Sequence, residues 1–293
     1  MNGNWGTALM IDLPSGRVEK RPLPEAWYHD YIGGEGVAIR LFAELVDFDA
    51  PPLDPSQPLL AAVGPLTGTV APSSGRTCFV FRSPASGALG ISNVGGQLSP
   101  AIKKAGYDLI VFTGAADNPV YVVIDDDAVE IRDASAIWGT GVHDTESAIR
   151  ESLPGKGWQI AAIGPAGENG VLFSAIMTDR ERAAGRGGGG AAMGSKNLKA
   201  FAVRGTKPLP IADDAALREA AKKAREEFLT EEFVEAELKP FGTPSFYDSI
   251  SALGILPTQN WRRTTFPESI DTLGHAAYHA NLDVKPYACW GCP

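Results

Sequence analysis

The sequence predicts an α+β protein, with a layered β-sheet sandwich as its N-terminal domain and the start of an all-α domain behind it. Three observations lead there. Apolar, β-branched segments of strand length crowd the chain from Thr7 to Val203. The helical stretches among them are too few for the regular strand–helix alternation of a doubly wound sheet. Beyond Lys207-Pro208-Leu209-Pro210 the character changes to charged sequence with helical periodicity.

In chain order, strands are expected over 7–13, 59–63, 77–81, 109–113, 120–124, 129–132, 159–163, 171–176 and 200–203. Asp125-Asp126-Asp127 supplies a hairpin turn between two of them. Helices are expected over 24–31, 37–45, 100–104 and 143–153. After the proline pair, Asp213 is an N-cap candidate for a long helix over 214–239. Leu217, Ala221, Ala224, Phe228 and Leu229 fall at helical spacing there, and the Glu, Lys and Arg between them read as a solvated face. A second helix over 245–253 follows Gly242-Thr243-Pro244. The domains are therefore drawn as 1–208 and 209–293.

Composition bounds the function. A chain of 293 residues is long enough for two domains and a sizeable core. Lys+Arg 26 against Asp+Glu 35 gives a formal net charge of −9, which argues against a nucleic-acid binder. No apolar run reaches the ~18 residues that span a bilayer, and the opening residues lack the shape of a signal peptide. Three cysteines, two of them close together near Pro293, fit no disulfide framework and point to a reducing cytoplasm.

The most informative stretch is Asp179-Arg180-Glu181-Arg182-Ala183-Ala184-Gly185-Arg186-Gly187-Gly188-Gly189-Gly190. Consecutive glycines carry a large entropy cost, so a stable fold keeps them where backbone must come very close to something. The arginines beside them indicate an anion, because guanidinium forks and bare backbone N–H groups are how proteins hold phosphate. The stretch reads as an anion cradle for a phosphorylated cofactor. A flexible linker is the alternative, against which stands its richness in Arg rather than Ser. Two nucleotide motifs fail here. Gly185-x-Gly187-x-x-Gly190 has no strand leading directly into it, and Gly189-x-x-x-x-Gly194-Ser195-Lys196 places its lysine one position too late for a P-loop.

Other groups are less specific. Arg76 opens an apolar strand, where a guanidinium must find an acceptor, and Asn93 before Gly95-Gly96 is a turn residue that can face a ligand. Cys289-x-x-Cys292 is open among zinc, a redox disulfide and an iron–sulfur use, whereas Cys78 reads as a core cysteine. His275 and His279 share a helix face without the Glu of a metalloprotease and read as solvated or packed. Trp261, Phe266, Tyr278, Tyr287 and Trp290 read as core for the helical domain.

A series of motifs then appears in order. They are Gly33-Gly34-Glu35-Gly36, Gly64-Pro65-Leu66-Thr67-Gly68, Ser92-Asn93-Val94-Gly95-Gly96, Lys104-Ala105-Gly106-Tyr107-Asp108 and Ala162-Ile163-Gly164-Pro165-Ala166-Gly167-Glu168. Arg182-Ala183-Ala184-Gly185-Arg186-Gly187, Met193-Gly194-Ser195-Lys196-Asn197-Leu198-Lys199-Ala200 and Gly254-Ile255-Leu256-Pro257-Thr258 with Asn260 complete the set. Together they resemble the tungsten-containing aldehyde ferredoxin oxidoreductase family, end to end over this chain and over about the first half of such an enzyme.

The resemblance implies a tungsten or molybdenum atom held by the dithiolenes of two pterins, with Mg2+ bridging their phosphates. It assigns Arg76, Gly95, Arg182, Gly185 and Arg186 to the pterins and their phosphates, and Asn93 and Ala183 as oxygen ligands toward magnesium. It makes Cys289 and Cys292 the opening pair of a four-cysteine [4Fe–4S] set, whose third thiolate would fall at position 296; the ligand set is incomplete in this chain. The expected activity is oxidation of an aldehyde to a carboxylic acid, with electrons passing through the cluster to ferredoxin. Family members occur as dimers, and no feature of the sequence demonstrates a dimer or a partner subunit here. No catalytic residue is assigned. The abrupt end on a pair of metal ligands leaves a second expectation, a truncated pterin-binding fragment without catalysis.

Overall fold

The structure, a computed structural model, describes residues 2–285 and 287–292. It divides into two compact units: residues 2–214 with Cys289–Cys292, and residues 215–288.

Two six-stranded mixed sheets build the first unit. Sheet one contains β1 (Thr7–Asp12), β2 (Arg17–Pro22), β3 (Leu59–Val63), β4 (Thr77–Arg82), β5 (Leu89–Val94) and β6 (Leu109–Thr113), in the order β2-β1-β6-β3-β4-β5. Sheet two contains β7 (Val120–Asp125), β8 (Ala128–Asp133), β9 (Gln159–Ala162), β10 (Ile176–Thr178), β11 (Arg182–Ala184) and β12 (Leu198–Arg204), in the order β11-β10-β9-β12-β7-β8. Each sheet has one parallel pair, β1 with β6 and β7 with β12; the other pairs are antiparallel.

Alternation along the strands assigns the faces. Leu9, Ile11, Phe79, Phe81 and Phe112 of sheet one meet Val122, Ile124, Ala161, Phe201 and Val203 of sheet two in one core. The rings of Phe112 and Phe201 stand 5.2 Å apart there. Helices α1 (Glu25–Tyr31) and α2 (Gly34–Leu45) cover the outer face of sheet one through Tyr28, Val37, Leu41 and Phe42. Helix α3 (Leu98–Ala105) adds Leu98 and Ile102 to the intersheet core, and α4 (Val142–Ser152) sets Ile149 on the outer face of sheet two. The result is a layered α/β/β/α sandwich, the α+β class expected. Sheets covered on both faces have strands apolar at every position, and all of β3 is buried.

Two buried lysines are paired with carboxylates, and a third, Lys196, donates to the carbonyls of Pro55 and Gly114. Lys103 Nζ donates to Asp108 Oδ1 at 2.6 Å, and the same carboxylate accepts from Gly6 N and Tyr28 OH. Lys199 pairs with Glu168 on α5 (Pro165–Glu168), which also accepts from Gly139 N.

Several elements differ from expectation. β2, β5 and β11 lie outside the expected strands. Residues 171–175 form a turn, so β10 begins only at Ile176. The glycine run leads into a short helix, α6 (Gly189–Gly194), so it is not a flexible linker. The long helix α7 (Asp214–Leu229) stops before residue 239, where Thr230 Oγ1 donates to Glu227 O, and a π-turn, Val234–Leu238, follows. Within the second unit, His275 Nδ1 lies 3.1 Å from Asp248 Oδ2, and the His275 and His279 rings pack on Phe241. They are packed histidines. The aromatic cluster is not a closed core: Trp261 is 63% exposed and Trp290 belongs to the first unit. No helix among the described residues is long and apolar enough to cross a membrane.

Candidate functional site

The site forms where the sheet edges meet. β5 is the outer strand of sheet one and β11 the outer strand of sheet two. Ser92 Oγ on β5 bonds the carbonyls of Gly185 and Arg186 at 2.9 and 3.0 Å. Ser83 Oγ, just past β4, bonds Gly187 O at 2.7 Å. Two hydroxyls thus fix the loop after β11 to sheet one.

The turn after β5 is tied to the same hairpin from the other side. Gln97 N donates to Asp179 Oδ2 at 2.7 Å. Gly96 has φ +110°, and a Cβ there would collide with Asp179 Oδ2 and approach Arg182 Cδ to 3.0 Å. Only glycine fits. Asp179 is buried, with Oδ1 lacking a hydrogen-bond partner among the described residues. Burial raises its pKa and Glu146 adds to the rise, against the Gln97 N–H, Arg182 and Arg150. Asp179 and Arg180 both take left-handed φ, +50° and +64°, a strained corner that the surrounding bonds hold. Arg180 turns back to Glu146 and Ser147, so it serves the hairpin.

The four glycines do something other than expected. Gly188, Gly189 and Gly190 are buried. A Cβ on Gly190 would lie 2.7 Å from Ala175 O, and one on Gly188 would run into Leu172 O. Gly188 and Gly190 closely approach the protein's own main chain, and Gly187 and Gly189 lie against the Phe81 ring. The accessible part of the cradle lies upstream, at Ala183, Gly185 and Arg186. Arg186 has φ +66° and an exposed side chain without an ion pair or hydrogen bond among the described residues.

Arg76 precedes β4, and the Thr77–Val94 register places it opposite Gly95. It too is exposed and unpaired among the described residues. It lines a cavity of about 320 Å³ with Glu35, Cys78 and Asn93. Asn93 Nδ2 donates to Glu35 Oε2 at 3.2 Å, which leaves Asn93 Oδ1 available, and Cys78 Sγ lies 3.6 Å from the same Glu35 oxygen. Burial, reinforced by Glu35, pushes the Cys78 thiol up to about 12. It stays a thiol at neutral pH and is no thiolate ligand.

Cys289 packs against Gly95 so closely that no Cβ fits between them. Cys289 is half-buried and Cys292 exposed. Among the described residues no group of three or more His, Cys, Asp and Glu side chains is arranged for a metal.

The structure therefore gathers Arg76, Asn93, Gly95, Arg182, Ala183, Gly185 and Arg186 along two adjoining edges, with Cys289 against one of them. Two unpaired guanidiniums on an exposed edge favour an anion. Sequence reasoning missed Asp179 and Glu35 as the groups that orient this edge. Glu35 stands inside the Gly33-Gly34-Glu35-Gly36 motif, which was a signal; Asp179 pairs with a turn 82 positions away, and nothing local announces that.

Known proteins share this architecture. Residues 8–205 match the family model described as aldehyde ferredoxin oxidoreductase, N-terminal domain, and residues 219–293 match aldehyde ferredoxin oxidoreductase, domains 2 & 3. The chain is 41% identical over its full length to the tungsten-containing aldehyde ferredoxin oxidoreductase of Pyrococcus furiosus, covering 48% of that protein. The corresponding protein of Thermococcus kodakarensis is 40% identical, with the same coverage. Among solved structures, the active site complex BamBC of benzoyl coenzyme A reductase, in complex with 1,5-dienoyl-CoA, superimposes with a TM-score of 0.83 at 31% identity, over 100% of this chain and 46% of that one. The chain spans about half the length of the curated relatives it matches.

Proposed function

The chain belongs to the aldehyde ferredoxin oxidoreductase family, and from that premise we propose that its first unit binds the phosphorylated pterins of a tungsten cofactor in an enzyme that oxidises aldehydes to carboxylic acids. The observation that carries the reading is the pair of free guanidiniums, Arg76 and Arg186, on the edge formed by β5 and β11.

The residues fit such a group. Phosphate needs donors at fixed angles, and each charge-assisted bond contributes roughly 1.5–3 kcal/mol. Arg76 and Arg186 are the donors without a protein partner among the described residues, and Arg182 stands beside Asp179 on the same hairpin. Gly185 leaves open space where a side chain would stand, and Gly95 makes room for Cys289 beside it. Asn93 and Ala183 are the proposed oxygen donors toward Mg2+, a hard cation that accepts such groups. When bound, the tungsten cofactor would supply the redox chemistry. The protein's part is to hold it and orient it: Asp179 fixes the Gly96–Gln97 turn, and Ser92 fixes the carbonyls of Gly185 and Arg186.

Cys289 and Cys292 are proposed as two thiolates of a [4Fe–4S] cluster; a cubane normally takes four. Electrons would pass to ferredoxin, and three free thiols suit a cytoplasmic setting. Metal analysis of protein purified from a tungstopterin-producing host tests the reading. Tungsten with about four irons per chain is expected for the loaded enzyme. Protein that carries no tungsten, expressed beside a relative that does, would refute cofactor binding.

A further inference from the structure

The first unit carries a segment that chain order would place after the helices of the second, Cys289-Trp290-Gly291-Cys292. Three hydrogen bonds hold it down. Trp290 N donates to Gly96 O at 3.3 Å, Trp290 Nε1 to Thr69 O at 2.9 Å, and Ser73 N to Gly291 O at 2.7 Å. Lys104 Nζ lies 4.8 Å from the centre of the Trp290 ring, a cation–π distance.

Two glycines receive the segment. A Cβ on Gly75 would lie 2.7 Å from Trp290 Cβ and 2.8 Å from Trp290 O, and Gly95 meets Cys289 Sγ. These glycines flank the turn that presents Arg76 and the turn that follows Asn93. Trp290 commits its apolar body, its ring N–H and its main-chain N–H to the first unit at once.

We propose that Trp290 is the positioning residue of the cysteine pair, latching Cys289 and Cys292 onto the Thr69–Arg76 loop and the Gly95–Gly96 turn before either thiol takes a metal. The latch rests on the proposed function only in treating the thiols as ligands. Held there, the pair and the anion-binding edge form one preorganised assembly, and Trp290 itself touches no reacting atom. Opening the latch breaks all three hydrogen bonds together, so it stays shut in at least about ten of every eleven molecules.

The test uses the full chain, reduced and free of metal, labelled with iodoacetamide and read cysteine by cysteine by peptide mass spectrometry. Cys292 is expected to react fast and Cys289 at least about tenfold more slowly, because labelling it requires the latch to open. Buried Cys78, its thiol pushed up to about 12, stays unlabelled and reports that the sheets remain folded. Trp290→Ala should bring Cys289 to within about twofold of Cys292 while Cys78 stays protected, and Trp290→Phe, which keeps an aromatic ring and loses the N–H, should fall between. Equal rates for Cys289 and Cys292 in the unaltered chain would overturn the proposal, as would a slow Cys289 in Trp290→Ala. Should Cys78 become labelled in that variant, Gly75→Ala, whose methyl would collide with Trp290 Cβ and O, should likewise bring Cys289 to within about twofold of Cys292, and a slow Cys289 there would overturn the proposal. Tungsten enters none of these readouts, so the latch and the cofactor reading fail separately.

Discussion

Replacing Gly96 by alanine tests the junction on which the site depends. Gly96 has φ +110°, and its missing Cβ is what leaves room for the Asp179 carboxylate. Holding an alanine in so sparsely populated a conformation costs about 1–3 kcal/mol. Expelling the carboxylate forfeits the Gln97 N–H bond, a charged one of about 1.5–3 kcal/mol. The two losses overlap, since the chain can relieve one by conceding the other, so about 3–4 kcal/mol is expected in total. For a unit of this size that lowers the melting temperature by about 10 °C. Gly16→Ala is the control, because Gly16 has φ +70° with nothing within 4 Å of the place an added methyl would occupy. It should cost only about 1–2 kcal/mol of backbone strain. Calorimetry and urea unfolding of both variants measure the difference. A Gly96→Ala chain within about 1 kcal/mol of Gly16→Ala would refute the claim that the turn and hairpin are locked through Asp179.

Three more perturbations address the site and its scaffold. Arg76→Ala and Arg186→Ala should leave stability within about 0.5 kcal/mol, since neither guanidinium has a partner among the described residues, while lowering tungsten content per folded chain by about tenfold, measured by elemental analysis. Asp179 has its pKa raised by folding, so the folded state keeps the proton to higher pH than the unfolded chain; stability should fall as pH rises from the ordinary carboxylate value through the raised one, and Asp179→Asn should lack that slope in urea titrations. Asp108→Ala leaves the buried Lys103 ammonium unpaired and should cost about 3–5 kcal/mol by equilibrium unfolding.

The fold was legible where burial is two-sided. Residues 59–63 and 109–113 carry apolar side chains toward both the helices and the second sheet, so their runs stand out without context. Edge strands carry no such run. β2 reads Arg-Val-Glu-Lys-Arg-Pro, charged on its open side, and β11 has only Arg182, Ala183 and Ala184. The site was legible as motifs but not as geometry. Arg186 and Arg76 were visible as charges beside glycines, whereas the contact of Trp290 with Gly75 joins residues more than two hundred positions apart, and no local pattern encodes it. The reading of residues 179–190 as an anion cradle took close backbone approach as the reason for the glycines; at Gly188 and Gly190 the groups approached are the carbonyls of Leu172 and Ala175, which no local pattern announces.

That distinction bears on the anion site proposed for this corner. An edge strand leaves main-chain groups unpaired, and proteins usually cover or blunt it. Here the edges β5 and β11 are brought alongside each other without pairing strand to strand; serine hydroxyls and the Asp179 carboxylate make the connection instead. Side chains spaced this way keep the edges close, and the buried glycines of α6 anchor the loop from behind. Charge then follows position. Arg180, exposed but within reach of Glu146, is engaged by that carboxylate, whereas the exposed Arg76 and Arg186 have no partner among the described residues. Rigid backbone beneath and unpaired guanidinium above is the arrangement that binds a multiply charged ligand without reorganisation.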